Sequence, residues 1–223
     1  MNILFVVAHP DDEALGGGAF IFKRSCQGDE VSVLTLSAHS PTRPDSLKKE
    51  QAESHAIMGV ARTYNANYET MKFGTYDRYE MVRGIEEVIK ETEPDIIVTH
   101  NPYDVHNDHK ITSALVREAA RLPQRGTGYN KPLTALLYME VLSSTEWSYE
   151  NGFAPNAFFP VSEEALKKKA QAIDCYQQVI RPSPHPRNGE TIKSLARYRG
   201  CQCGAEYAEA FMCAYLNVGA AAR

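Results

Sequence analysis

The sequence predicts an α/β fold: a Rossmann-like, mainly parallel sheet with helices on both faces. Short apolar runs rich in branched residues recur along the chain, and segments with apolar residues at helical spacing fall between them. The two richest clusters of polar residues, 9–13 and 104–109, come directly after two of the apolar runs. In such sheets ligands gather outside the carboxyl ends of the strands, so these clusters mark the expected site.

The elements follow in order. Ile3 to Ala8 is short, rich in branched residues and bounded by Pro10, which reads as a fully buried strand. Ala14 to Cys26 carries Leu15, Phe20, Ile21 and Phe22 and stops at Gln27-Gly28-Asp29, so a helix follows directly. Val31 to Leu36 is the second strand, and Ser40 to Asp45, with two prolines, is a loop. Leu47 to Met58 reads as a helix ending at Gly59, whereas Tyr68 to Thr75 fits neither periodicity. Met81 to Glu93 has Val82, Ile85, Val88 and Ile89 on one face, and Pro94 halts it before the strand Asp95 to His100. After the loop Asn101 to Asn107, Ile111 to Arg121 predicts a helix, Leu133 to Val141 a strand and Glu163 to Tyr176 a late helix.

A chain of 223 residues with 43% hydrophobic content suffices for one substantial core, so a single domain over 1–223 is expected. A net charge of -4 argues against a nucleic-acid-binding surface, and the isolated cluster Lys167, Lys168, Lys169 reads as a solvated helix face. The N-terminal apolar run lacks a basic leader and is far shorter than the ~18 residues of a membrane span. Five cysteines are too few for a disulfide scaffold and fit a reducing, cytoplasmic location. Cys201 and Cys203 have one residue between them and no second pair to complete a zinc knuckle.

His9-Pro10-Asp11-Asp12-Glu13 sets one imidazole and three carboxyls within five positions at the end of a buried strand. Groups packed that way repel and desolvate one another unless a cation or hydrogen-bond donors compensate, so a metal is the economical explanation. The competing reading is that the acids cap the next helix. Asp104-Val105-His106-Asn107-Asp108-His109 offers an imidazole ligand with an orienting carboxylate beside it; alone, it would pass for an N-cap at Asn107 or Asp108. A parallel topology brings both loops to one edge of the sheet. A His and an Asp from the first with a His from the second then make three ligands, which leaves a catalytic zinc one open position. Two or more His also suit zinc better than a magnesium site for phosphoester chemistry. Gly16-Gly17-Gly18 lacks the Gly-x-Gly-x-x-Gly spacing of a dinucleotide loop and reads as close backbone packing near the metal.

A strand ending in His-Pro-Asp-Asp-Glu, paired with a later His-x-Asp-His, resembles the PIG-L or LmbE-like family of zinc-dependent N-acetyl sugar deacetylases. Ser143 to Trp147, His185-Pro186-Arg187, Arg199-Gly200 and Glu206 to Phe211 resemble its bacterial branch, so the likeness spans nearly the whole chain. The resemblance implies one Zn2+ held by His9, Asp12 and His109, with Asp11 as general base and His106 as general acid or oxyanion donor. A protonated His106 opposite Asp11 would serve both of those demands. Asp108 would orient a histidine, and Glu13 would cap the helix or hold a ligand. Arg43, Asp104 and Arg187 are the candidate substrate contacts; some family members carry Tyr at the position of Asp104. Glu146 and Trp147 would wall a sugar ring, or Trp147 would be core. The expected activity is removal of an acyl group from an N-acetylated amino sugar or its conjugate. The alternatives are another N-acyl amine or thiol conjugate, and a non-catalytic carbohydrate-binding member of the fold. A homo-oligomer is the assembly the resemblance implies.

Overall fold

In a computed structural model, which describes residues 1–38, 46–125 and 131–221, seven strands form one sheet in the order β3-β2-β1-β4-β5-β7-β6. The strands are β1 (Asn2–Val7), β2 (Glu30–Thr35), β3 (Arg62–Asn65), β4 (Ile96–His100), β5 (Ala135–Met139), β6 (Ala157–Pro160) and β7 (Ala208–Leu216). The first five are mutually parallel; β7 runs antiparallel to both β5 and β6. The described helices are α1 (Asp12–Cys26), α2 (Ser46–Met58), α3 (Arg78–Thr92), α4 (Asn107–Ala119), α5 (Glu163–Asp174), α6 (Gly189–Cys203) and the short α7 (Val218–Ala221).

Alternation along β1 divides the core in two. Ile3, Phe5 and Val7 pack with residues of α1, α2, α5 and α6, while Leu4 and Val6 pack with Met81, Ile85 and Ile89 of α3 and Leu115 and Val116 of α4. The expected two-faced sheet is thus observed, with additions. Strands β3, β6 and β7 and helix α6 lie in stretches where the sequence pattern predicts no element. Tyr68 to Thr75 is a loop ending in a 3-10 turn at Phe73–Thr75. The loop expected over Ser40 to Asp45, and with it Arg43, lies outside the described residues.

Caps set the helix starts. Asp77 accepts from the N–H of Glu80, Ser162 from that of Ala165 and Asn188 from that of Thr191. Helix α4 begins four residues earlier than apolar periodicity suggests, and its N-cap is His106 rather than Asn107 or Asp108. Asp108 and His109 therefore sit in its first turn.

Helix α1 starts two residues early as well, and at Gly17 it breaks (φ -154°, ψ 19°). The glycine run packs closely, as expected: a Cβ on Gly17 would fall 2.7 Å from a ring carbon of Phe5, and one on Gly16 2.4 Å from Sδ of Met139. The break leaves backbone groups without helical partners. Buried Lys169 donates to the carbonyl of Leu15 at 2.7 Å and to Glu209 at 2.5 Å, and Glu209 accepts from the N–H of Phe20 at 2.6 Å. This pair satisfies both sides of the break.

Candidate metal centre and active site

Beyond their carboxyl ends, β1 and β4 release the two polar loops side by side, at the point where the strand order reverses direction. His9, Asp11 and Asp12 come from the first loop and the start of α1; His106, Asp108 and His109 come from the second and the start of α4. All but Asp108, together with Thr70, Ser143, Ser144 and Arg187, line a pocket of about 350 Å³.

Within it His9 Nδ1, Asp12 Oδ2 and His109 Nε2 form a triangle with edges of 3.4, 3.4 and 3.3 Å. Four ligands held tetrahedrally about 2.0–2.1 Å from an ion stand about 3.3–3.4 Å apart, so this donor set fits a zinc-sized cation. The far side of each ring explains why those nitrogens face inward. Nε2 of His9 lies 3.1 Å from Asp108 Oδ2, and Nδ1 of His109 lies 3.3 Å from Asp104 Oδ2. A carboxylate holds the proton on the outer nitrogen and turns the other lone pair toward the triangle.

Two other groupings compete. One nitrogen on each of His9, His106 and His109 lies within 4.8 Å of the others, as do donor atoms of Asp12, His100 and His109. His100 uses Nε2 to accept the N–H of Ala8 at 2.9 Å, which occupies the lone pair nearest Asp12. It stacks on His109 with ring centroids 3.9 Å apart, and burial followed by the His109 charge pushes it down to about 4, so it is a neutral floor under that ring. His106 uses Nδ1 to accept the N–H of Asp108. Among the described residues no cysteine joins any of these groupings.

Burial and close approach shift the ionisable groups of the site in opposite directions. Burial, then repulsion by Asp12, raises the Asp11 carboxyl to about 7 against the pull of Arg187. Asp12 is held well below the usual carboxylate range; burial works against this, and the His109 and His100 imidazoles overcome it. Burial likewise opposes a proton on His109, yet Asp12 and Asp104 raise it to about 10. A cation at the triangle would displace that proton.

Asp11 stands apart from the triangle. Its φ of 110° is a conformation that L-residues rarely adopt, and it is fixed from three sides. Its N–H donates to Glu13 Oε2 at 3.2 Å, its carbonyl accepts from Leu15, and its carboxylate meets Arg187 Nη1 at 3.2 Å. Glu13 is fully buried and accepts from Tyr176 Oη at 2.8 Å, with His55 Nε2 at 3.4 Å. It therefore braces the Asp11 backbone.

Two expectations change. Asp104 is a candidate substrate contact by sequence, but its carboxylate is buried and taken up by the hydroxyls of Ser144 and Thr145, the N–H of His106 and the ring of His109. Its place is behind a histidine. For His106, burial, then the charges of His109 and His9, push it down to about 4, which disfavours the protonated form that the sequence reading expects. Because Nδ1 accepts a backbone N–H, the proton of the neutral ring sits on Nε2, which makes it a donor without charge. Trp147 is half exposed and is not core.

Sequence reasoning misses Thr70, Ser144, His100, Arg181 and His185, all of which line or support the pocket. His100 ends a predicted strand, and Ser144 and His185 lie in motifs named above. Thr70 and Arg181 carry no sequence signal.

Residues 4–120 match a family model described as PIG-L, GlcNAc-PI de-N-acetylase. The chain is 25% identical to the diacetylchitobiose deacetylase of Thermococcus kodakarensis over 221 residues, covering 93% of this chain and 81% of that one. It is 30% identical to the probable N-acetyl-alpha-D-glucosaminyl L-malate deacetylase 2 of Bacillus cereus over 140 residues, 55% of this chain and 63% of the relative. A solved structure of a conserved protein from Thermus thermophilus superposes with a TM-score of 0.78 at 23% identity, covering 97% of this chain and 96% of that one, which shows a shared fold.

Proposed function

The chain belongs to the PIG-L family, and from that premise we propose that it is a zinc-dependent hydrolase that removes the acetyl group from the amine of an N-acetylated amino sugar or its conjugate. Of the relatives named above, one is a diacetylchitobiose deacetylase and another a probable N-acetyl-alpha-D-glucosaminyl L-malate deacetylase, which supports an enzyme acting on N-acetyl amides. The observation that carries the metal is the triangle of His9 Nδ1, Asp12 Oδ2 and His109 Nε2, with each imidazole backed by its own carboxylate.

A bound zinc supplies Lewis acidity, which acidifies water and polarises an amide carbonyl. Asp11 Oδ takes the proton of the attacking water, and its burial raises its affinity for that proton. Arg187 anchors that carboxylate and lines the same pocket, where it can also meet the substrate. Neutral His106 donates from Nε2 to the oxyanion of the tetrahedral intermediate. Since His106 carries no spare proton, Asp11 passes the one it has taken to the departing amine. Asp108 and Asp104 keep His9 and His109 in the tautomers that bind metal. Five unpaired cysteines support a reducing, cytoplasmic setting.

The experiment is metal analysis of protein purified without chelator, followed by acetate release from a panel of N-acetyl sugars and sugar conjugates. Zinc near one per chain with release that stops on chelation is the expected result. Release by metal-free protein would overturn the reading.

A further inference from the structure

We propose that the cleft walled by Tyr103, Trp147 and Tyr149 binds a second pyranose ring of the substrate, so that the enzyme acts by preference on N-acetyl sugars at least two rings long. This rests on the deacetylase reading and goes beyond it by naming the substrate class.

The loops that follow β4 and β5 each run from the catalytic pocket into this cleft. Val105 lines both cavities, and Ser143 and Ser144 line the pocket while Trp147 and Ser148, a few residues on, line the cleft of about 250 Å³. A ligand seated at His106 thus has a continuous path along two loops. Trp147 is the chain's only tryptophan, yet it is 50% exposed; Tyr103 is 51% and Tyr149 84% exposed. Three large aromatics left wet around one concavity forfeit the burial that would stabilise them in a core, as expected of a surface that something covers.

The chemistry of the walls selects the occupant. The rings of Trp147 and Tyr149 meet at 64° with centroids 6.2 Å apart, presenting two aromatic faces at an angle. A pyranose has an apolar C–H face suited to an aromatic face and an edge of hydroxyls that needs donors and acceptors. Lys110, Ser148 and Glu150, which line the same cleft, supply those. An acyl chain would call for aliphatic walls, and here only Val105 and Pro102 are aliphatic. Ligand sites of this kind combine aromatic lining with a few polar groups.

The test compares N-acetylglucosamine with N,N'-diacetylchitobiose. Metal-loaded wild type should show the higher kcat/KM on the disaccharide, and Trp147→Ala or Tyr149→Ala should lower that value about three- to tenfold while changing the monosaccharide value less than twofold. Since Trp147 is the only tryptophan, its emission reads the cleft directly: titrating metal-free protein with the disaccharide should shift it, and the monosaccharide should not. Equal kcat/KM for the two sugars with an unresponsive emission would overturn the cleft and leave the deacetylase intact. Failure to release acetate from either sugar or from any of the panel would instead overturn the deacetylase reading. Tyr149→Ala that splits an oligomer and leaves the sugar ratio unchanged would overturn the proposal by making the cleft a contact between copies of the chain.

Discussion

Helix α1 touches two buried groups of charges, one at its first turn and one at its break, and they are solved in opposite ways. At the break a single cation, Lys169, meets a single anion, Glu209, and their remaining hydrogen-bonding capacity goes to backbone groups that the kink leaves open. At the first turn three carboxyls and several imidazoles crowd together, and only Asp11, through Arg187, meets a permanently charged cation. Burial, then Asp12, drives Asp11 up, and burial, then His109, drives His100 and His106 down. Burial of charge is common to both regions. The imbalance distinguishes them, with a candidate metal centre at one place and a structural staple at the other.

The sharpest way to break this comparison is Asp11→Asn. The amide keeps the shape and can still accept from Arg187, but it cannot take a proton. The maximal rate should fall about 10²–10⁴-fold, or roughly 3–5.5 kcal/mol of transition-state stabilisation, with metal content unchanged. Metal lost in proportion to activity would make Asp11 a ligand and dissolve the distinction between the two aspartates.

Lys169→Met probes the other region. Removing one partner of a buried pair leaves the other charge uncompensated, which destabilises by about 3–5 kcal/mol. The expected outcome is a lower denaturant midpoint with kcat per folded, metal-loaded molecule within about twofold of wild type, a margin far smaller than a general base's contribution. A large kcat effect at unchanged stability would mean that the staple also shapes the site.

His106→Ala, which removes the Nε2 donor, follows in size. Loss of a single oxyanion donor costs about 10²–10³ in kcat, with metal affinity preserved. Loss of metal in this variant would favour the grouping of His9, His106 and His109 over the triangle of His9, Asp12 and His109.

How much of this is legible in the sequence depends on range. Strand β1 and its motif are contiguous, so Ile3 to Glu13 discloses both a buried strand and a cation-seeking cluster. Strand β7 is hidden because Glu209, a carboxylate amid apolar residues, disrupts its apolar pattern; the partner that explains it, Lys169, lies 40 residues away. The same holds for Asp104, whose neighbours in sequence suggest an open loop but whose carboxylate is consumed by Ser144 and Thr145. Lys169 itself reads by sequence as part of a solvated basic face and is buried. The downward shift of His106 follows from its burial and then from the approach of His109 and His9, which no spacing rule supplies. Local chemistry is visible in the sequence; its long-range compensation is not.

The smallest expected effect sharpens the comparison most finely. Asp108 Oδ2 lies 3.1 Å from Nε2 of His9 and also accepts the N–H of Met71 at 2.7 Å, a residue with φ of 67° in the loop before α3. It is therefore either a partner that makes His9 a better ligand or an anchor for that loop. Asp108→Asn separates the two roles, because the amide oxygen still accepts from Met71 while the charge behind the imidazole is gone. Partners of this kind typically contribute 10–100-fold to metal affinity, about 1.4–2.7 kcal/mol. Competition with a chromophoric chelator should show affinity reduced by that factor, with the thermal midpoint of metal-free protein unchanged within error. The opposite pattern, full affinity with a lowered midpoint, would place Asp108 with Lys169 and Glu209 among the charges that serve only the fold.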